Sequence, residues 1–160
     1  MTRKIDGRVW KLGDNIDTDT IISARYLALK SIDEMSLHIF EAILATGQRS
    51  FRDVLIVAGE NFGCGSSREQ ATRVIKEVGI KAVIADSLAR IFFRNAINCG
   101  LIAVECPGIS SLVQDEDYIE LKPVVGRIRL PGNRTCECLP LPEFLLDIVG
   151  SGGLIPYLKR

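Results

Sequence analysis

The apolar positions change period several times along the chain, and each change marks an element. Residues 4–12, KIDGRVWKL, predict a strand. The polar stretch 13–20, carrying Asp14, Asp17 and Asp19, predicts a loop after it. Ser31-Ile32-Asp33-Glu34 has the form of a capping box, in which the serine oxygen takes a backbone N–H and the glutamate reaches back. The helix it opens puts Ile32, Met35, Ile39, Phe40 and Ile43 on one face, and Gly47 stands past its end. Residues 53–58 then read as a short strand that is apolar throughout. Residues 59–65 form a glycine-rich loop, and 66–78 a helix with Ala71, Val74, Ile75 and Val78 turned inward. Residues 81–85 are a second buried strand. Ser87 caps a further helix with Leu88, Ile91, Phe92 and Ala96 on its apolar face, closing at Gly100 before a third strand over 101–104. Strands without polar alternation, separated by helices, predict a parallel sheet of right-handed βαβ crossovers.

Past Pro107 the texture changes again. Residues 118–121, 126–130 and 135–139 predict short strands, with Pro131-Gly132-Asn133 as a hairpin turn, and 142–149 a last short helix before Gly152-Gly153. The pattern as a whole predicts an α/β fold: a parallel βαβαβ core with additional antiparallel strands at both ends.

Composition narrows this further. A length of 160 residues suits one domain. Such a chain buries roughly two thirds of its unfolded surface, so neither disulfide nor metal is needed to hold it. Hydrophobic residues make up 47% and charged residues 25%, which excludes disordered, collagen-like and coiled-coil architectures. Lys+Arg 20 against Asp+Glu 20 leaves no basic excess to meet nucleic-acid phosphates, although a local patch stays open. No apolar run reaches the roughly 18 residues of a membrane span. The opening MTRKIDGRVW lacks the apolar core of a signal peptide. The five cysteines, Cys64, Cys99, Cys106, Cys136 and Cys138, form no even framework, and a reducing cytoplasm is expected.

The stretch Gly59-Glu60-Asn61-Phe62-Gly63-Cys64-Gly65-Ser66-Ser67-Arg68-Glu69 joins a buried strand to a helix, where α/β sheets bind ligands. Its glycines let the backbone approach a ligand or adopt positive φ. A helix's first turn offers N–H groups to an anion, and Arg68 can grip a carboxylate or phosphate with two prongs. The spacing is neither a Walker loop, which needs a lysine, nor the dinucleotide fingerprint Gly-x-Gly-x-x-Gly, nor the Gly-x-Ser-x-Gly elbow of a serine hydrolase. A bare glycine turn is more often only a turn, but the Ser-Ser-Arg cluster beside this one favours anion binding. The single histidine, His38, four residues after Glu34, reads as half of a surface pair, which disfavours a Ser–His–Asp triad. Cys136-x-Cys138 lacks the second pair or histidine of a zinc site. Cys64, near a helix N-terminus, either has a lowered thiol pKa or is a small residue fitting the turn. Residues 14–20, DNIDTDT, lack the glycine and closing glutamate of a calcium loop and suit loop-ordering near a site. Arg90 and Arg94, at i and i+4, read as solvated face residues.

The Gly-rich stretch, with Ser87-x-Ala89-Arg90-Ile91-Phe92-x-Arg94-Asn95 after it and Asp14-x-x-Asp17-Thr18-Asp19 before it, resembles the small subunits of the aconitase superfamily, over nearly the whole chain. The isopropylmalate dehydratase and homoaconitase types are the most similar. The resemblance implies a single swivelling β/β/α three-layer domain over residues 1–160. It implies a hydro-lyase that dehydrates and rehydrates a small hydroxy-dicarboxylate. It places the catalytic base on Ser66 and the substrate-carboxylate contacts on Ser67 and Arg68. This chain then binds no metal or cofactor. The [4Fe–4S] cluster belongs to a large iron–sulfur subunit, paired with the chain as a heterodimer or heterotetramer. The substrate-specificity loop falls on Tyr26, Leu27, Ala28 and Leu29. Homoaconitase-type chains carry Tyr-Leu-Arg-Thr there, so Ala28 favours an apolar branch, as in isopropylmalate and leucine biosynthesis, over a third carboxylate. Related methyl-substituted malates such as 2,3-dimethylmalate stay open as substrates, and Arg25 nearby keeps homoaconitase open. A stand-alone phosphate-ligand-binding module is the alternative from another class.

Overall fold

The computed structural model describes residues 4–44 and 50–160; Gly47, expected past the first helix, lies outside the described residues. Among the described residues, seven strands form one sheet. They are β1 (Ile5–Lys11), β2 (Val54–Ala58), β3 (Ala82–Ala85), β4 (Ile102–Glu105), β5 (Tyr118–Lys122), β6 (Arg127–Arg129) and β7 (Thr135–Glu137). Their spatial order is β4-β3-β2-β1-β5-β6-β7. The four strands β1 to β4 run parallel, and β5, β6 and β7 continue the sheet antiparallel. The N-terminal strand was expected to be an antiparallel addition. Instead β1 pairs parallel with β2 on one side and antiparallel with β5 on the other, so all the antiparallel strands lie on the C-terminal side.

Why β2 and β3 are apolar throughout follows from their two covered faces. Trp10, Val54, Ile56, Ala58, Val83 and Ala103 pack with residues of α3 (Glu69–Glu77) and α4 (Arg90–Cys99). Their neighbours in sequence, Val9, Leu55, Val57, Ala82 and Ile84, pack on the opposite face with Ile119, Leu121 and Ile128 of β5 and β6. The sheet curls far enough to bring its two outer edges together, and the Leu139 N–H, just past β7, donates to the Glu105 carbonyl of β4 at 2.9 Å. Helices, parallel strands and curled antiparallel strands thus make the three β/β/α layers expected.

The remaining helices are short: α1 (Thr18–Ile21), α2 (Ile32–Ser36), α5 (Glu143–Gly150) and α6 (Leu154–Leu158). The sequence pattern predicted neither α1 nor α6. At α2 the Ser31 oxygen accepts from the Glu34 N–H at 3.2 Å, while the Glu34 carboxylate takes the N–H of Lys30. The helix stops at Ser36 instead of running on to Ile43. Phe40 turns to φ 53°, donates its N–H to the Ile21 carbonyl and packs edge-on to Trp10, 4.9 Å between ring centroids. Burying that ring stabilises by roughly 2–3 kcal/mol. The forfeited helical hydrogen bond is worth about 1 kcal/mol, so tertiary packing overrides the helical period. Ile43 is left exposed. Two further departures concern α4: Ser87 does not cap it, and Ile91 is half exposed, whereas Phe92, Ala96 and Ile97 are buried. Gly100 closes it in the left-handed conformation, as expected.

Candidate functional site

Three loops meet beyond the carboxyl ends of the parallel strands: the one after β1, the glycine-rich loop after β2, and the turn after β3. Backbone bonds stitch them together. Gly59 donates to Gly13 at 3.1 Å, Gly63 to Ile16 at 2.7 Å and Thr18 to Cys64 at 2.8 Å. The Asp14 carboxylate takes the Glu60 N–H at 2.8 Å, and Asp17 caps α1 by accepting from Thr20 at 2.6 Å. The acidic stretch therefore orders loops, as its residue types suggested. On the other side, Ser87 Oγ accepts the Asn61 N–H at 2.8 Å, and the Ala89 N–H donates to the Phe62 carbonyl. Phe62 is fully buried, edge-on to Phe92. Gly63 holds φ 81° against that same ring, and a Cβ there would overlap Phe92.

Fixed in this way, the loop presents Ser66, Ser67 and Arg68 side by side. The sequence reading put all three in the first turn of a helix. They stand before it: α3 begins at Glu69, and Arg68 is extended at φ −69°, ψ 110°. Ser66 and Ser67 are exposed. Ser66 Oγ lies 3.2 Å from Thr18 Oγ1, whose residue is buried. Arg68 Nη1 reaches Asp19 Oδ1 at 3.1 Å and the Ile22 carbonyl at 3.4 Å. The Ala24 N–H and the Arg68 guanidinium hold the Asp19 carboxyl below its usual range. Asn95 Nδ2 donates to the Ser67 carbonyl at 3.4 Å, tying the triplet to α4. Thr18 and Asp19 are the partners that sequence reasoning did not assign individually. Their signal was the placement of Asp17 as a helix cap, which fixes where the next two side chains point.

Cys64 does not have the activated thiol that a helix N-terminus would confer. It precedes α3 by several residues, and desolvation and the Asp17 charge both push the thiol up. Arg90 and Arg94 are exposed, consistent with solvated positions, though Arg90 borders a cavity of about 640 Å³ with Leu88, Phe93, Leu139, Leu141 and Leu145. Among the described residues, no group of three or more His, Cys, Asp or Glu side chains is arranged to hold a metal ion.

The stretch Tyr26, Leu27, Ala28 and Leu29 lies against the helical face of the core. Leu27 and Leu29 pack on it, and Ala28 is exposed. Tyr26 stacks on His38 at 3.8 Å, and its hydroxyl donates to Glu41. Arg25 pairs with Glu41 at 2.8 Å and lies over the Tyr26 ring. His38 thus faces Glu41, 3.7 Å away, and not Glu34, whose carboxylate serves Lys30. Asp19, Ser23, Arg25, His38 and Glu41 line one cavity of about 240 Å³, so this cluster and the partner of Arg68 share a wall.

Residues 3–108 match the family described as the aconitase C-terminal domain. The isopropylmalate/citramalate isomerase small subunit of Methanocaldococcus jannaschii is 45% identical over 158 residues, covering 98% of this chain and 94% of that one. The 3-isopropylmalate dehydratase small subunit of Halothermothrix orenii is 46% identical, covering 98% and 96%. The crystal structure of the 3-isopropylmalate dehydratase from Methanocaldococcus jannaschii is similar to this fold, with a TM-score of 0.87 at 42% identity over 98% of this chain and 93% of that one.

Proposed function

The chain belongs to the aconitase C-terminal domain family, and from that membership we propose that it is the small subunit of a 3-isopropylmalate dehydratase. In this reading it is a hydro-lyase component that interconverts 2-isopropylmalate and 3-isopropylmalate by dehydration and rehydration, in leucine biosynthesis in the cytoplasm. Residues 1–160 act as one swivelling domain that closes on a large iron–sulfur subunit. The described residues of this chain do not fit a [4Fe–4S] cluster, so the cluster is assigned to that subunit.

The observation that carries the reading is the display of Ser66, Ser67 and Arg68 at the carboxyl ends of the parallel strands, braced by Thr18 and Asp19. Ser66 is the base for the carbon-bound proton. Ser66 stands ahead of α3, and the Thr18 hydroxyl, 3.2 Å away, is the donor at hand for its alkoxide. Ser67 and Arg68 take the substrate carboxylate, the guanidinium offering two parallel N–H bonds. At the specificity loop Ala28 brings no charge, and Arg25 is already neutralised by Glu41. This disfavours a third carboxylate and with it a homoaconitase. A second reading, the smaller methyl-branched citramalate, is favoured by the Methanocaldococcus relative, whose name includes it.

The test is reconstitution with a large iron–sulfur subunit and assay against 2-isopropylmalate, citramalate and homocitrate. Turnover of the branched malates by the complex, with none by the isolated chain, is the expected result. A complex active only on homocitrate, or inactive on every hydroxy acid, overturns the assignment. Mass measurement of the same complex separates heterodimer from heterotetramer.

A further inference from the structure

Three thiols lie far in sequence from the Ser66–Arg68 triplet, and the proposed reaction uses none of them. Cys106 follows β4 at one edge of the sheet, and Cys136 and Cys138 belong to β7 and the residue just past it, at the other. The curl of the sheet brings these edges into contact. Cys106 Sγ lies 3.9 Å from Cys136 Sγ and donates to the Glu137 carbonyl at 3.3 Å. Residues i and i+2 of an extended segment share a face, so Cys106 points between two cysteines that face it. All three are reduced. Cys106 is fully buried, and Cys136 is partly exposed. A disulfide needs sulfurs about 2.05 Å apart, so forming one draws the two together from their present 3.9 Å.

We propose that Cys106 and Cys136 form a reversible disulfide that fastens the β4 edge of the sheet to the β7 edge, with hydrogen peroxide as the oxidant. The Cys136 thiolate attacks one peroxide oxygen, the O–O bond breaks, and a sulfenic acid forms while the released hydroxide takes a proton and leaves as water. The Cys106 sulfur then attacks the sulfenic sulfur. The S–S bond forms, the S–O bond breaks, and the Cys106 proton leaves with that oxygen as a second water. Two thiols and one peroxide give one disulfide and two waters. Burial pushes the Cys136 thiol up, so the reaction is slow at neutral pH and accelerates as pH rises and the thiolate fraction grows. Cys106 is likewise held up, by the neighbouring Cys138 thiol and by burial, so its attack on the sulfenic sulfur also quickens as pH rises. The bond closes a loop of about thirty residues and restricts the unfolded chain.

The experiment treats the full chain with excess hydrogen peroxide at several pH values and blocks residual thiols with an alkylating agent. Intact-mass measurement, peptide mapping and thermal melting follow. The expected result is loss of two hydrogens, a Cys106–Cys136 linked peptide, alkylation at Cys64, Cys99 and Cys138, and a Tm raised by several degrees and restored by dithiothreitol. Cys136→Ala, at a partly exposed position, abolishes the mass loss and the Tm shift, while Cys138→Ala keeps both. No mass loss, a bond mapped to any other pair, an intermolecular dimer, or conversion to sulfinic acid alone overturns the proposal.

Discussion

Replacing Thr18 by valine isolates what a single hydroxyl does for Ser66. The side chain is 3% exposed and its oxygen lies 3.2 Å from Ser66 Oγ. Valine keeps the branched shape, and the backbone bond from Thr18 N–H to the Cys64 carbonyl is untouched. Ser66 itself is exposed and can turn to water, so no polar group is stranded and stability should change by less than about 1 kcal/mol. If Thr18 donates to the Ser66 oxygen as it becomes basic, the bond to the developing alkoxide is stronger than the neutral one by about 1 kcal/mol, and that difference is lost. That corresponds to a kcat lower by roughly fivefold, since about 1.4 kcal/mol is tenfold. KM should stay within twofold, because Ser67 and Arg68 are unaltered. The assay is steady-state kinetics of the reconstituted complex, run as a cycle with Ser66→Ala. In the Ser66→Ala background Thr18→Val should cost nothing further, because its partner is already gone. An equal slowing in both backgrounds, or an effect confined to KM, refutes the link between Thr18 and Ser66.

Three other substitutions probe the frame and the loop. Gly63→Ala puts a Cβ into the Phe92 ring at a left-handed φ, and chemical denaturation should show a loss of about 2–4 kcal/mol; an unchanged midpoint would mean the loop is not pinned there. Glu120, 6% exposed, accepts from Lys4 at 3.0 Å and Arg129 at 2.7 Å, which hold its carboxyl below the usual value near 4.3. Its stabilisation is present above that value and lost as pH falls through the lowered folded one, so Tm of wild type and Glu120→Gln should differ most above about pH 5 and converge in acid; a constant difference contradicts this. Ala28→Arg should move the ratio of kcat/KM from isopropylmalate towards homocitrate, since an unpaired cation penalises the apolar branch; a ratio that does not move places the loop away from substrate.

The parallel core was legible because strands covered on both faces carry uninterrupted apolar runs, and β2, β3 and β4 follow them within a residue or so. Period alone could not say which neighbour β1 would take: its alternation of Val9 and Trp10 suits either hand of pairing, and only the return of β5 beside it decides. The overlong α2 failed for a related reason, since Phe40 fits the helical stripe but is claimed by Trp10, more than two dozen residues away. The triplet Ser66, Ser67 and Arg68 stood out by residue type. Its position before α3 did not, because a serine pair ahead of a helix is written the same way whether or not it starts the first turn.

That position bears on how Arg68 works. The two serines stand just ahead of α3, with the Thr18 hydroxyl beside Ser66 and Asn95 Nδ2 on the Ser67 carbonyl, and the guanidinium is the one full positive charge of the triplet. Asp19 neutralises it, through a contact whose carboxylate is 63% exposed. Such an exposed pair is worth about 0.2–1 kcal/mol. Hydrogen bonds from a guanidinium to a substrate carboxylate, shielded from water once a large subunit closes over the site, are worth about 1.5–3 kcal/mol. The balance favours exchange, with Asp19 holding Arg68 in place between turnovers and yielding one nitrogen to the incoming carboxylate. The second contact of Arg68, to the Ile22 carbonyl, keeps the side chain aimed while that exchange happens. Asp19 is therefore a positioning residue: Asp19→Asn should raise KM severalfold in the assembled enzyme while leaving kcat close to wild type. A large fall in kcat at unchanged KM would place Asp19 in the proton transfer itself and overturn the exchange.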